Sequence, residues 1–205
     1  MQYAASADRD VVDMVSGNPD WEPPEALRDG LREYADASPD EFQYPPSEGL
    51  RDLREEIAAR RNVDPDRIIV TNGTGEANYL GMAAALDRDA GSEVLLTDPV
   101  YPYYPGKAEL LDADATLVSA ERDGSLDPER FREAASEETS LILVNTPNNP
   151  TGAVYSRETM AELASVAEEV NATLLVDEVY DHFDFTGEFE SALTLDSDRV
   201  IVTTG

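Results

Sequence analysis

Five short apolar runs, at 68–70, 94–96, 141–144, 173–176 and 200–202, recur along the 205-residue chain. Each is rich in β-branched residues and bounded by turn formers, so each reads as a buried strand. A weaker sixth lies at 115–118. Helical periodicity fills the gaps. Residues 48–61 set Leu50, Leu53, Ile57 and Ala58 on one face, and 75–86 is apolar nearly all round, which predicts a buried helix. Asp127-Pro128 reads as an N-cap followed by proline at the first helical position, and Ser156 caps a helix over 157–170. Strand and helix in alternation predict an α/β fold with a mostly parallel, helix-covered sheet. Residues 1–47 differ: many prolines and acids, one helix at 25–35, no strand. They read as an N-terminal arm or partial small domain before a sheet domain at 48–205.

Charge narrows the partners. Asp and Glu number 44, Lys and Arg 15, and the formal net charge is −29. Such a chain repels polyanions, which argues against nucleic acid and anionic membranes. Fourteen of the cations are Arg and one, Lys107, is Lys. The pattern resembles proteins of salt-accumulating organisms, where surface carboxylates hold water and cations and salt screens their repulsion. It points to a halophilic source. With no cysteine and His182 as the only histidine, thiolate chemistry and multi-histidine metal sites are excluded. No metal is expected. No apolar run approaches the ~20 residues of a membrane span, and the polar N-terminus is no signal peptide. The expected location is the cytoplasm.

Open parallel sheets bind ligands beyond the carboxyl ends of their strands, and the polar motifs follow those ends. The run at 68–70 leads into Thr71-Asn72-Gly73-Thr74-Gly75-Glu76, and 94–96 into Asp98-Pro99-Val100-Tyr101. The run at 141–144 leads into Asn145-Thr146-Pro147-Asn148-Asn149-Pro150-Thr151-Gly152, and 173–176 into Asp177-Glu178-Val179-Tyr180. One cleft lined by Gly-rich turns, aromatic rings, an asparagine and a carboxylate is expected. Free N–H groups of Thr74, Gly75 and Glu76 at a helix start suit a phosphate, although the same residues also make an ordinary strand-to-helix turn. Tyr101 suits a flat ligand or plain packing. Asp177, at the end of the run at 173–176, is a buried carboxylate that needs a partner, or a helix N-cap.

In this order and spacing the motifs resemble the fold-type I pyridoxal-phosphate enzymes, in particular the class I/II aminotransferases. The resemblance also takes in Ser16-Gly17-Asn18-Pro19-Asp20 and the stretch from Tyr44 to Arg54. It implies the large domain of that fold and pyridoxal 5'-phosphate as cofactor. Asp177 then pairs with the ring nitrogen and keeps it protonated, so that the ring draws electrons from the substrate α-carbon. Asn149 and Tyr180 hydrogen-bond the phenolic oxygen, Tyr101 stacks on the ring, and Thr74, Gly75 and Glu76 hold the phosphate. Gly17 approaches the substrate carboxylate. Tyr44 reaches the phosphate of the other subunit's cofactor, which implies a homodimer; a hydrophobic contact beside Pro45 is its other reading.

The resemblance places the Schiff-base lysine a few residues past the strand at 200–202, beyond Gly205, so no catalytic residue is expected within the chain. Lys107 is no substitute, because it falls after Tyr104 and outside the motif. The expectation is an N-terminal fragment of an aminotransferase whose substrates are an amino acid and a 2-oxo acid. A lyase, synthase or decarboxylase on the same fold shares most of these residues. A non-catalytic interaction module remains the reading from a different class.

Overall fold

The computed structural model describes residues 6–12, 17, 21–86 and 91–205. The chain divides into two compact units, Met1–Pro45 and Pro46–Gly205, the division falling just before the expected boundary at Ser47. Ser16, Asn18, Pro19 and Asp20 of the expected N-terminal motif lie outside the described residues.

In the first unit, helix α1 (Glu25–Ala35) has the expected bounds. Arg32 reaches back to Glu25 and Asp29 at 2.7 and 2.6 Å. A single turn follows at Pro39–Phe42, and the Tyr34 and Phe42 rings meet at 5.0 Å.

The second unit is built on five strands: β1 (Glu93–Asp98), β2 (Asp114–Ser119), β3 (Thr139–Asn145), β4 (Thr173–Asp177) and β5 (Val200–Thr203). All pairings are parallel and the order is β2-β1-β3-β4-β5. Every residue of β3 and β4 is buried, as expected for central parallel strands covered on both faces. Alternate side chains go to opposite faces. Leu95, Ile142, Val144, Leu174 and Val176 meet α5 (Pro128–Ala134) and α6 (Arg157–Glu169) through Phe131, Met160, Leu163 and Val166. Val94, Leu96, Leu141, Leu143 and Leu175 meet α3 (Gly73–Leu86) and α4 (Tyr103–Leu110) through Met82, Ala85, Tyr104 and Ala108. A fully buried side chain of this size contributes about 1.5–3 kcal/mol. The caps are as expected: Asp127 accepts from the Glu129 N–H and Ser156 from the Thr159 N–H.

Three expectations need correction. Residues 68–70 form no strand; the Val70 N–H bonds the Glu48 carbonyl at 3.0 Å and Ile69 is 67% exposed. β-Branched residues favour extended backbone, but a strand exists only where a neighbour completes its ladder. Helix α2 (Arg51–Arg61) buries Arg54 and Ala58, while Leu50 and Leu53 face outward. The Arg54 guanidinium donates to the Pro65 carbonyl at 2.9 Å, turning that stripe inward. Helix α3 is buried along one stripe only, Asn78, Met82 and Ala85, whereas Tyr79 and Leu80 are exposed. The helix lies on the sheet rather than between two layers. Gly81 permits close approach there: a Cβ at this position would sit 2.5 Å from Leu175 Cδ1.

Candidate functional site

The order of the strands reverses between β1 and β3, because β2 lies on one side of β1 and β3 to β5 on the other. Beyond the carboxyl ends of strands at such a reversal, flanking loops part and leave a crevice. A cleft of about 270 Å³ opens there. Thr74, Gly75 and Asn78 enter it from the start of α3. Tyr101, Tyr103, Tyr104 and Lys107 enter from the segment after β1, Asn145 and Asn149 from the end of β3, and Asp177, Val179 and Tyr180 from the end of β4.

Asp177 is the chemical centre of this cleft, only 3% exposed. Its Oδ2 accepts from Asn78 Nδ2 and from the Tyr104 hydroxyl, both at 2.7 Å, and its Oδ1 accepts from the Val179 N–H at 3.0 Å. A buried carboxylate must be compensated in this way. No helix of the sort an N-cap would start follows directly: a single turn begins at Asp181. Burial, and then the neighbouring Asp177, push the Tyr104 phenol above its ordinary value, so its hydroxyl remains a donor. Tyr101 is also raised, by burial first and then by Tyr103, Tyr180 and Asp177. Its ring stacks on Tyr103 at 5.0 Å and meets Tyr104 edge-on at 5.5 Å.

Asn145 organises the loop after β3. Its Nδ2 donates to the Asp177 carbonyl at 2.9 Å, and its Oδ1 accepts from the Asn149 N–H at 2.7 Å. That places the Asn149 carboxamide 3.5 Å from the Tyr180 hydroxyl. Below, Glu178 is fully buried. It accepts from the Ser191 hydroxyl and the Ala192 N–H, both at 2.7 Å, tying the 191–192 turn under the site. Burial pushes its carboxyl above the ordinary range, against those hydrogen bonds. Arg61 of α2 holds Asp181 at 2.5 Å, anchoring the segment after Tyr180.

Of the residues singled out from sequence, Thr74, Gly75, Tyr101, Asn149, Asp177 and Tyr180 line this one cleft. The Glu76 side chain turns away to accept from the Asn72 N–H at 2.6 Å, a cap on α3 that leaves its own backbone N–H in the first turn. Gly17 and Tyr44 belong to the first unit. Among the described residues nothing lies within 4 Å of a Cβ placed at Gly17, and Tyr44 is fully exposed. Asn78, Tyr104 and Asn145 were not singled out. A lone asparagine in a helix, or a tyrosine beside a proline, carries no signal that it meets a carboxylate far away in sequence. Lys107, set aside as lying outside the motif, is brought to the cleft by one turn of α4 and sits 5.5 Å from the Tyr103 ring centroid. Among the described residues no cluster of acidic or histidine side chains could hold a metal ion, and no helix is long and apolar enough to cross a membrane.

Comparison with known proteins gives a consistent picture. The family model described as "Aminotransferase class I and II" matches residues 9–205. An aspartate aminotransferase of Thermotoga maritima is 32% identical over 206 residues, covering 96% of this chain and 54% of its own. An aspartate/prephenate aminotransferase of Thermus thermophilus is 34% identical, covering 87% and 48%. A solved aspartate aminotransferase structure from Thermus thermophilus (a single mutant) superposes with a TM-score of 0.88 at 31% identity, over 100% of this chain and 55% of that one. The chain thus spans about half the length of the curated relatives it matches.

Proposed function

The chain belongs to the class I and II aminotransferases, and from that premise we propose that the whole protein moves an amino group between an amino acid and a 2-oxo acid. Pyridoxal 5'-phosphate is the cofactor, held in the cleft at the ends of β1, β3 and β4. The observation that carries this reading is Asp177: a buried carboxylate, supplied only with donors, in a cleft that also holds an aromatic face and a helix start. These groups fit the cofactor's chemistry. When bound, the ring supplies an electron sink for the substrate α-carbon.

The chain's own residues divide the work. Asp177 accepts the ring N–H and so keeps the nitrogen protonated. Tyr101 offers its face to the ring. Thr74, Gly75 and Glu76 offer first-turn N–H groups of α3 to the phosphate, favoured by the positive end of the helix. Asn149 and Tyr180, held close together by the Asn145 bridge, donate to the phenolic oxygen. Gly17 approaches the substrate carboxylate, and Tyr44 reaches the phosphate in the other subunit of a homodimer. Residues 1–47 serve as arm and partial small domain, 48–205 as the cofactor-binding large domain. The amine that shuttles the proton is expected past Gly205. In support, a Cβ at Gly205 would lie 3.4 Å from Thr74 Oγ1, against the cleft wall.

Aspartate is the first amino donor to try, because relatives are named for it. The protein from the complete reading frame, incubated with aspartate and 2-oxoglutarate, should yield glutamate. Absence of amino transfer from any common donor refutes the proposal, and release of CO₂ or an eliminated product assigns the lyase or decarboxylase reading instead.

A further inference from the structure

A carboxylate offers about four acceptor sites, two on each oxygen. At Asp177 three are taken. Oδ2 receives both Asn78 Nδ2 and the Tyr104 hydroxyl, and among the described residues Oδ1 receives only the Val179 N–H. The two donors on Oδ2 come from different helices of the same sheet face, α3 and α4. The Asn78 carboxamide is itself oriented: the hydroxyl of Thr203, the last residue of β5, donates to Asn78 Oδ1 at 2.6 Å. That bond turns the amide nitrogen, rather than the oxygen, toward Asp177. Hydrogen bonds to an ionised acceptor are short and strong, and all members of this chain are buried.

We propose that Tyr104 and Asn78 are positioning residues that saturate Oδ2 of Asp177 and leave one acceptor site, on Oδ1, to receive the ring N–H of a bound pyridine. The proposal rests on the reading of the cleft as a ring site. It assigns the two carboxylate oxygens different jobs: Oδ2 is anchored to the scaffold and Oδ1 meets the ligand. Removing the Tyr104 hydroxyl opens a second acceptor site, lets the carboxylate turn, and withdraws a donor that favours its charged form. A proton shared with a bound ring nitrogen then moves toward the carboxylate.

The test uses the 205-residue chain in four forms, wild type, Tyr104→Phe, Asn78→Leu and Asp177→Ala, with two measurements. The first needs no ligand: the Asn78 side-chain amide protons are followed by NMR, and Asp177→Ala should return the hydrogen-bonded one to the position of a free carboxamide. An unmoved resonance refutes the donor arrangement. The second uses pyridoxal 5'-phosphate labelled with ¹⁵N in the ring. The wild-type complex should show the shift of a protonated pyridine nitrogen. Tyr104→Phe should move it toward the neutral value and weaken binding roughly tenfold, and Asn78→Leu should do the same. A purely structural role weakens binding without moving the nitrogen shift, and that result overturns the proposal. If the wild-type chain takes up no ring, the ring-site reading and the role of Oδ1 fall together, while the amide measurement still decides whether Oδ2 is held.

Discussion

Replacing Asn145 by alanine should destabilise the chain far more than its place in a loop motif suggests. The carboxamide is buried at the end of β3 and satisfies two groups at once. Without it the Asp177 carbonyl keeps a second donor, the Thr146 N–H at 3.0 Å, so that loss is one ordinary hydrogen bond, about 1 kcal/mol. The Asn149 N–H loses its partner in a half-buried loop, which costs about 1–3 kcal/mol. Together the change is about 2–4 kcal/mol, a large part of the 5–15 kcal/mol that typically holds a domain. In urea, with a slope of about 2 kcal/mol per molar, the midpoint should fall by about 1–2 M. Asn149→Ala, which removes a less buried carboxamide reaching toward Tyr180, should move it by far less. A midpoint for Asn145→Ala within about 0.3 M of wild type would refute the bridging role.

Other consequences follow from the same geometry. Glu178 is raised by burial above its ordinary 4.5, so the unfolded chain gives up this proton first. Stability from this group is complete below that value and declines as pH rises toward the folded pKa, by at most about 1.4 kcal/mol per unit. The stability of Glu178→Gln relative to wild type should therefore rise with pH above about 4.5, measured by urea unfolding across the range; a flat difference contradicts it. Ser156→Ala should cost about 1 kcal/mol by removing the cap on α6, seen as a lower denaturation midpoint. A net charge of −29 is screened over about 10 Å at 0.1 M salt but about 3 Å at 1 M, so the melting temperature should rise with KCl. Loss of stability with salt would sink the halophilic reading.

The sheet was legible because central parallel strands are continuous apolar runs, and 141–144 and 173–176 became fully buried strands. The caps at Asp127 and Ser156 were legible because capping is decided within one turn. The cleft was legible at Tyr101 and Asp177, since strand ends are where open sheets place ligands. What failed was decided at long range. Residues 68–70 have the composition of a strand but no ladder, and the faces of α2 and α3 were set by Arg54 and by the sheet surface rather than by periodicity. Asn78 and Tyr104 meet Asp177 across 99 and 73 residues of sequence. Only the strand order β2-β1-β3-β4-β5 brings them together, and local pattern does not encode it. Lys107 reached the cleft more locally, by one turn of α4 from Tyr103 and Tyr104.

The most direct test of the proposed cofactor cleft is equilibrium dialysis of pyridoxal 5'-phosphate against the purified chain and its Asp177→Ala variant. Saturable binding at one site, weakened roughly tenfold or more in the variant, is the expected result. Equal binding by both, or no saturable binding by the wild-type chain, contradicts the assignment of Asp177 as the group that holds the ring.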